Sequence, residues 1–473
     1  MSATGNHSGN HSGNHSGNHS GNQSGRSRGR RLDITTVLAV VLPLLTAGTL
    51  LTVHPDAAEP SARPPAQTSL SRTVVVCPGG SREVRVASGT DAGGATAYTV
   101  GDTEGQAEVR PGRVTTLTTG PGPFVARPEG ALAAGLVAGR FDRPLAAAEC
   151  RAPAPDLWFT GLGAGARHTS VLELVNPDGG PAIVDATLYG VSGVVDAPEL
   201  RGVAVPPRGV VRLDLGALVP RRDELAVHVT TARGRVAASM RDRQQELGTG
   251  GAADDWLPAQ AAPATSNLLL GVTPGKGLHN LVLLNPGEDE TRATVRLVSP
   301  SAVFRPAGLE EVVLPPRSVT RVSLAQVLTG KAAKGVTGLL VEAPGPITAT
   351  LRSYVRRDLS HAVAGTPLTS AATLVAPAGD KRLELAGATR AGAVAVTARA
   401  ANGTVLAEET IEVQPGRGFG LGLPPATALL TVSPERTEVT GALVVTEGAR
   451  VAVLRLRELV TSSLVGDVRP GLP

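Results

Sequence analysis

Two stretches of this 473-residue chain share a pattern: LELVNPDGG at 172–180 and LVLLNPGED at 281–289, each an apolar run closed by Asn-Pro, 109 positions apart. Aligned without a gap, Leu172 falls on Leu281 and Leu174 on Leu283. At the same offset VAVPPRGVVRLDL (203–215) falls on VVLPPRSVTRVSL (312–324). GRVAASMRDR (234–243) matches GPITATLRSY (345–354) with a shift of two. Runs and turns that hold one spacing over this length mean one structural unit written twice. Weaker copies flank the pair. VRPGRVTTL (109–117) and VQPGRGFGL (413–421) resemble the two-proline turn and its following strand, while EGALAAGLVAGR (129–140) and EGARVAVLRLRE (447–458) resemble the last strand. The reading is four tandem units, at 72–152, 153–262, 263–366 and 367–473.

Within 157–243, seven short runs (LWFTG, SVLELVN, AIVDATLYG, RGVAVP, GVVRLDL, LAVHVTT and RVAASMRD) are separated by Gly, Pro, Asn and Asp. Several alternate with period two: Val211, Leu213 and Leu215 face one way, Arg212 and Asp214 the other. This spacing predicts an all-β fold of tandem immunoglobulin-like or fibronectin-like β-sandwich units. Composition fits that: 57 Gly and 37 Pro supply turns, 41% apolar residues fill cores, and 2% aromatics leave those cores to Val, Leu and Ala. Outside one N-terminal run no long helical pattern stands out; LAQVLTG (324–330) suits a single turn. Pro cannot donate to a ladder and holds the preceding residue extended, and Asn caps turns with its own amide. Asn176 and Asn285 therefore read as strand ends, with a ligand-holding role as the alternative.

Residues 1–33 carry four copies of GNHS, a degenerate GNQS and the basic cluster Arg26, Arg28, Arg30 and Arg31. With no apolar residue the repeats cannot bury a core, so a disordered tail is expected. His7, His11, His15 and His19 would align on a helix and chelate Zn²⁺ or Ni²⁺, but Gly and Asn at every period oppose helix. Residues 34–53, ITTVLAVVLPLLTAGTLLTV, hold no charge and are long enough to cross a bilayer core of about 30 Å as helix. Positive charge before the run and none close after it places the N-terminus inside. The rival is a cleaved signal peptide, which normally has a shorter apolar region and a small-x-small site; Asp56 disturbs the best such site here. A single-pass anchor is expected, with the bulk outside the cytoplasmic membrane and 54–71 as a Pro-rich linker. The two cysteines, Cys77 and Cys150, follow the run, and an exported compartment permits a disulfide between them.

The search for chemistry returns little. No HExxH, phosphate loop, GxGxxG after a strand or EF-hand loop occurs, so no catalytic, cofactor or metal residue is assigned. The one GxSxG string, at 25–29 around Ser27, lies in the tail with no strand to hold a nucleophile. His54, His168, His228, His279 and His361 are the histidines beyond the tail; His228 reads as a wall residue, and His168 and His279 stand at nearly equivalent positions, so a paired role is an alternative. Asp254 and Asp255 form an acidic pair in a linker-like segment: solvated charges, or acid–base groups acting on glycans. Trp158 and Trp256 read as plugs of seams between units, with sugar stacking as the alternative. A net charge of +4 and ten aromatics exclude an extended nucleic-acid surface.

CPGG (77–80), the LELVNP and LVLLNP strands and the PPR turns together resemble an uncharacterised family of actinobacterial exported proteins, known only as a domain of unknown function. The resemblance covers roughly residues 70–460 and implies no activity, cofactor or catalytic residue. Four Lys among 45 basic residues, with abundant Ala, Gly and Pro, suit a high-G+C genome. The expected function is a non-enzymatic envelope protein that binds or scaffolds a partner, an envelope protein or a cell-wall glycan. The alternatives are an accessory subunit of a membrane complex for wall or glycan assembly, and a hydrolase with its site at a domain seam.

Overall fold

The structure, a computed structural model, describes residues 34–52, 66–248, 251–330 and 333–465. The GNHS repeats, the basic cluster, the GxSxG string and His54 lie outside them. The chain divides into two compact units, 1–64 with 467–473, and 65–466. In the first, the apolar run forms α1 (Ile34–Thr52), with Pro43 inside and no acid or base in its end turns. Thr46 and Thr49 return their hydroxyls to carbonyls of the preceding turn. Taken over the described residues, which leave out the side chains at 36 and 50–52, no helix is long and apolar enough to cross a membrane.

The 65–466 unit opens on β1 (Ala66–Ser69) and is otherwise four two-sheet modules. The first holds β2 (Val75–Cys77), β3 (Glu83–Ser88), β4 (Gly94–Val100), β5 (Thr103–Val109), β6 (Val114–Thr118), β7 (Phe124–Arg127), β8 (Leu136–Asp142) and β9 (Ala146–Glu149). Its sheets run β2-β7-β4-β5 and β6-β3-β8-β9. The second holds β10 (Asp156–Gly165), β11 (His168–Val175), β12 (Ala182–Gly190), β13 (Gly193–Val195), β14 (Val203–Val205), β15 (Val210–Asp214), α2 (Leu215–Leu218), β16 (Arg222–Arg233), β17 (Ala237–Gln245) and β18 (Ala252–Leu257). The third holds β19 (Ala264–Leu270), β20 (Gly277–Asn285), β21 (Thr291–Val298), β22 (Val303–Phe304), β23 (Val312–Leu314), β24 (Ser318–Ser323), α3 (Ala325–Thr329), β25 (Gly338–Val355) and β26 (Asp358–Val363). The fourth holds β27 (Ala372–Val375), β28 (Asp380–Ala386), β29 (Gly392–Arg399), β30 (Val405–Val413), β31 (Phe419–Leu423), β32 (Leu429–Glu435), β33 (Thr440–Glu447) and β34 (Arg450–Arg455). Its sheets run β27-β32-β29-β30 and β31-β28-β33-β34.

With the short strands β13 and β22 left out of the count, strands numbered by position within a module have the same order in every module: 1-6-3-4 in one sheet and 5-2-7-8 in the other. In the second module the hairpin β10–β11 joins the two at a corner. In the third, β25 is long enough to serve as sixth strand with its first half and seventh with its second. The seven apolar runs of the second module are all strands, and LAQVLTG makes the single turn of α3. Sheet-forming alternation was legible; the pairing was not that of an immunoglobulin domain. There the last strand pairs with the sixth, whereas here the seventh strand β17 pairs with the second, β11, and β16 pairs with β10 and β12. Two segments thought to be equivalent last strands differ: 129–140 leads into the seventh strand β8, 447–458 into the eighth, β34. Part of the expected linker is also a strand: β1 pairs with β35 (Ser462–Val465), so the chain enters and leaves this unit at one place. Only backbone pairing with a partner far away in sequence recruits that polar segment, which no alternation announced.

The repeat holds to the level of single bonds. Leu172 pairs with Leu213 and Leu281 with Val322; Ala182 pairs with Val205 and Thr291 with Leu314, all at an offset of 109. Asn176 Nδ2 donates to the carbonyls of Gly180, Val205 and Pro206 at 2.8–3.2 Å, and its Oδ1 accepts from Asp178 N. Asn285 does the same to Asp289, Leu314, Pro315 and Gly287. Each amide thus staples the end of the second strand to the turn before the fifth. Arg208 and Arg317, in the PPR turns, share φ of 50°.

Cys77 and Cys150 are disulfide-bonded, tying the first strand of the first module to the end of its last. Closing a loop of this length stabilises by roughly 4 kcal/mol through the unfolded chain, and reduction is expected to lower the urea midpoint accordingly. Asn176→Ala and Asn285→Ala are each expected to cost about 2–3 kcal/mol, because buried carbonyls lose their donor; chemical denaturation of the two variants, which should match one another, checks this.

Candidate functional site

The modules close on themselves. In each seam the first strand of one module packs on the second and seventh strands of the next. β10 lies on β20 and β25, β19 on β28 and β33, and β27 of the fourth module on β3 and β8 of the first. The remaining seam joins Val74, Val76 and Val125 to Val175 and Ala237. One second-strand position faces the preceding module each time. Gly79 N donates to Glu173 Oε1 (2.6 Å) and Gly271 N to Glu384 Oε2 (2.8 Å), while Arg85 Nη1 donates to Ala376 O (2.7 Å). At the third of these positions Val282 packs with Trp158. Small residues on the seventh strand, Gly139, Ser239, Thr350 and Ala442, stand beside these four and let the backbones approach.

The eighth strands β9, β18, β26 and β34 then meet in cyclic order, and a different side-chain contact joins each pair. Trp256 of β18 packs on Ala146 and Ala148 of β9 and donates to Asp142 Oδ2 at 3.2 Å. Between β18 and β26, His361 Nδ1 is 3.2 Å from Asp255 Oδ2. Asp358 of β26 accepts from Arg450 Nη1 (2.9 Å) and Val451 N (2.6 Å) of β34. Glu149 of β9 accepts from Arg455 N at 3.0 Å and sits against Arg151 and Arg457.

The densest polar cluster lies where the second and third modules join. Asp242 on β17 is wholly buried; its Oδ1 accepts from Ser170 Oγ (2.5 Å) and lies 2.8 Å from His168 Nε2, and its Oδ2 lies 3.0 Å from His361 Nε2. Arg352 Nη1 is 2.8 Å from His168 Nδ1. Arginine only donates, so Nδ1 accepts and Nε2–H points at Asp242. Arg352 Nη2 continues to Glu224 Oε1 (3.1 Å), which Arg321 also reaches at 3.2 Å. Burial pushes Asp242 up, but the imidazoles that donate to it outweigh burial and hold the carboxylate well below its usual range. Burial lifts Asp255 to about 6, with His361 offsetting only part of that. Burial would lower His361, yet its bonds to Asp242 and Asp255 raise it to about 9. At the third seam burial lifts Glu384 to about 7.

These groups are saturated by one another. Ser170, Asp242 and His168 do not form a hydrolytic triad, because the carboxylate, not the imidazole, stands in the middle. Two grooves on the surface, of about 560 and 490 Å³, share Arg390 and Arg436 on the fourth module and include no member of the cluster. Among the described residues no group of three or more His, Cys, Asp or Glu is placed to hold a metal. What the arrangement does is clamp strands from different modules.

A family model, DUF5719, described as a family of unknown function, matches residues 115–424. The chain belongs to that family. The DUF5719 match runs from β6 to just past β31, so it contains all of the second and third modules and the whole Asp242 cluster. No curated protein matches the chain.

The sequence-predicted residues fall differently in this DUF5719 fold. Asp254 and Asp255 are not in a linker but on β18; Asp255 is buried against His361, while Asp254 faces Arg241 and Arg243 at 3.8 Å. The polar GTGGAADD run hid a strand whose partner, β17, supplies the pairing. His168 and His279 are apart in role: His279 is buried on Ser353 Oγ (3.1 Å) and Gly275 O (2.8 Å). His228 stacks on Trp158 with centroids 3.7 Å apart. Trp158 and Trp256 both fill seams, and with 8% and 6% exposure neither offers a face to a sugar. Glu149, Glu224, Asp242, Arg352 and His361 carried no local signal, since their partners lie up to 306 residues away.

His361 is raised in the fold, so the stability it adds is complete below its unfolded value near 6.5 and is lost as pH rises through about 9. Stability is expected to fall by roughly 3 kcal/mol over that window. His361→Gln should remove that slope; thermal unfolding from pH 6 to 9.5 for both proteins measures it.

Proposed function

We propose that this chain is a non-enzymatic, membrane-anchored scaffold outside the cytoplasmic membrane, presenting the four-module unit to an envelope partner, an envelope protein or a cell-wall glycan. The observation that carries this reading is the fate of the chemistry-bearing side chains: the Asp242, Glu149 and Glu384 clusters are buried and mutually bonded. Catalysis needs a cleft where such groups meet substrate. The Cys77–Cys150 disulfide supports an oxidising compartment. Apolar side chains on every side of α1 are exposed, with Ile34 at 74% and Leu44 at 66%, a pattern suited to lipid rather than to a protein core. With the uncharged run 34–53 behind Arg26, Arg28, Arg30 and Arg31, it supports a single pass with the tail inside. The actinobacterial, exported character suggested by the sequence is part of the same reading.

The test is protease added to intact cells expressing the full chain, followed by thiol labelling. Digestion of the 66–465 part, with Cys77 and Cys150 unlabelled until reductant is added, is expected. A wholly protected chain with freely labelled cysteines would overturn the proposal.

A further inference from the structure

Most edge strands of the unit are short or covered. The fourth-position strands β14 and β23 have three residues each, and on β5 the Glu108 carbonyl is taken by Thr115 Oγ1 at 2.7 Å. β30 is different. It has nine residues, the longest edge strand among the described residues, and its only strand partner is β29. Ile411 and Val413 anchor it in the core, which fixes its register, while Glu408, Glu409, Thr410 and Glu412 are exposed. Glu412 and the exposed Glu435 lie on either side of Ala393 in the same cross-strand row. Among the described residues, none of these four glutamates is in an ion pair. An open strand edge is a row of unpaired N–H and C=O groups, and it either repels other strands or accepts one. The exposed charges of the strand itself, Glu408, Glu409 and Glu412, are all negative, while Arg390 and Arg436 border the groove at the strand's Glu412 end. An edge whose own charges are acidic repels acidic strands and favours a basic one.

We propose that β30 is a docking edge for an extended, Lys- or Arg-bearing segment of a partner protein, added as a further strand. Backbone bonds along residues 405–413 would supply affinity. Glu408 and Glu412, four apart and therefore on one face with Thr410 between them, would select basic residues spaced four apart on the added strand. The inference rests on the scaffold reading and names its surface.

The test uses the full chain, a nine-residue peptide of alternating Lys and Val, and its Glu–Val counterpart. The Lys peptide is expected to bind and to slow amide exchange in 405–413, with affinity falling at higher salt. Exposed Glu408→Lys with Glu412→Lys should leave thermal unfolding unchanged and weaken binding by about tenfold or more. No binding, protection elsewhere, or equal binding by the charge-reversed protein would overturn the proposal. Such a failure with the protease result intact removes this surface alone; a wholly protected chain removes the scaffold reading itself.

Discussion

The fold depends on one heterologous contact used four times. A two-sheet module leaves its first strand only half satisfied, and the second and seventh strands of the next module cover it. Head-to-tail contacts of this kind produce either an open filament or a closed ring, depending on the rotation between copies. Here the fourth module returns to the first: Phe141, Leu145 and Ala147 share a continuous core with Val375, Leu383 and Leu443. Because all four copies lie in one chain, closure is built into the sequence, and pairing of β1 with β35 sets the two ends side by side.

Closure brings the eighth strands together, and there polar pairs stand beside apolar contacts such as Trp256 on Ala146 and Ala148. Isolated buried charges would be expelled or neutralised. Four are instead matched across a module boundary: Asp255 with His361, Asp358 with Arg450 and Glu149 with Arg455 at the eighth strands, and Glu224 with Arg352 beside them. Such pairs add little net stability over an apolar filling, but a module out of register would leave a buried charge alone, at a cost of several kcal/mol. Specific matching of otherwise similar seams is the role this geometry suits. Modules of one topology could otherwise dock in the wrong order.

Local structure was legible in the sequence where the physics is local. The period-two runs gave strands, the Asn-Pro and Pro-Pro-Arg signals gave their ends, and the 109-residue offset gave bond-for-bond equivalence of Asn176 and Asn285. Cys77 and Cys150 could be paired because nothing else could bond them. Strand order was not legible, since seven similar short strands fit several sandwiches equally well. The charged junction was hidden for a related reason. Asp255 stood in a run that resembled a linker, and His361 stood in DLSHAV with no motif around it; each acquires meaning only when modules meet. Trp158 and Trp256 were exceptions: the sole tryptophans of an aromatic-poor chain, near the boundaries of the second unit, read as seam plugs, and both pack in seams.

That the four modules form one cooperative body is tested most directly by scanning calorimetry of the full chain, alone and as Glu149→Ala. This residue sits where the first and fourth modules close. The expected result is a single transition for residues 65–466, with calorimetric and van 't Hoff enthalpies equal, that moves as a whole to lower temperature in the variant. Two or more transitions, of which the variant shifts only one, would contradict closure and leave the modules as independent units on a string.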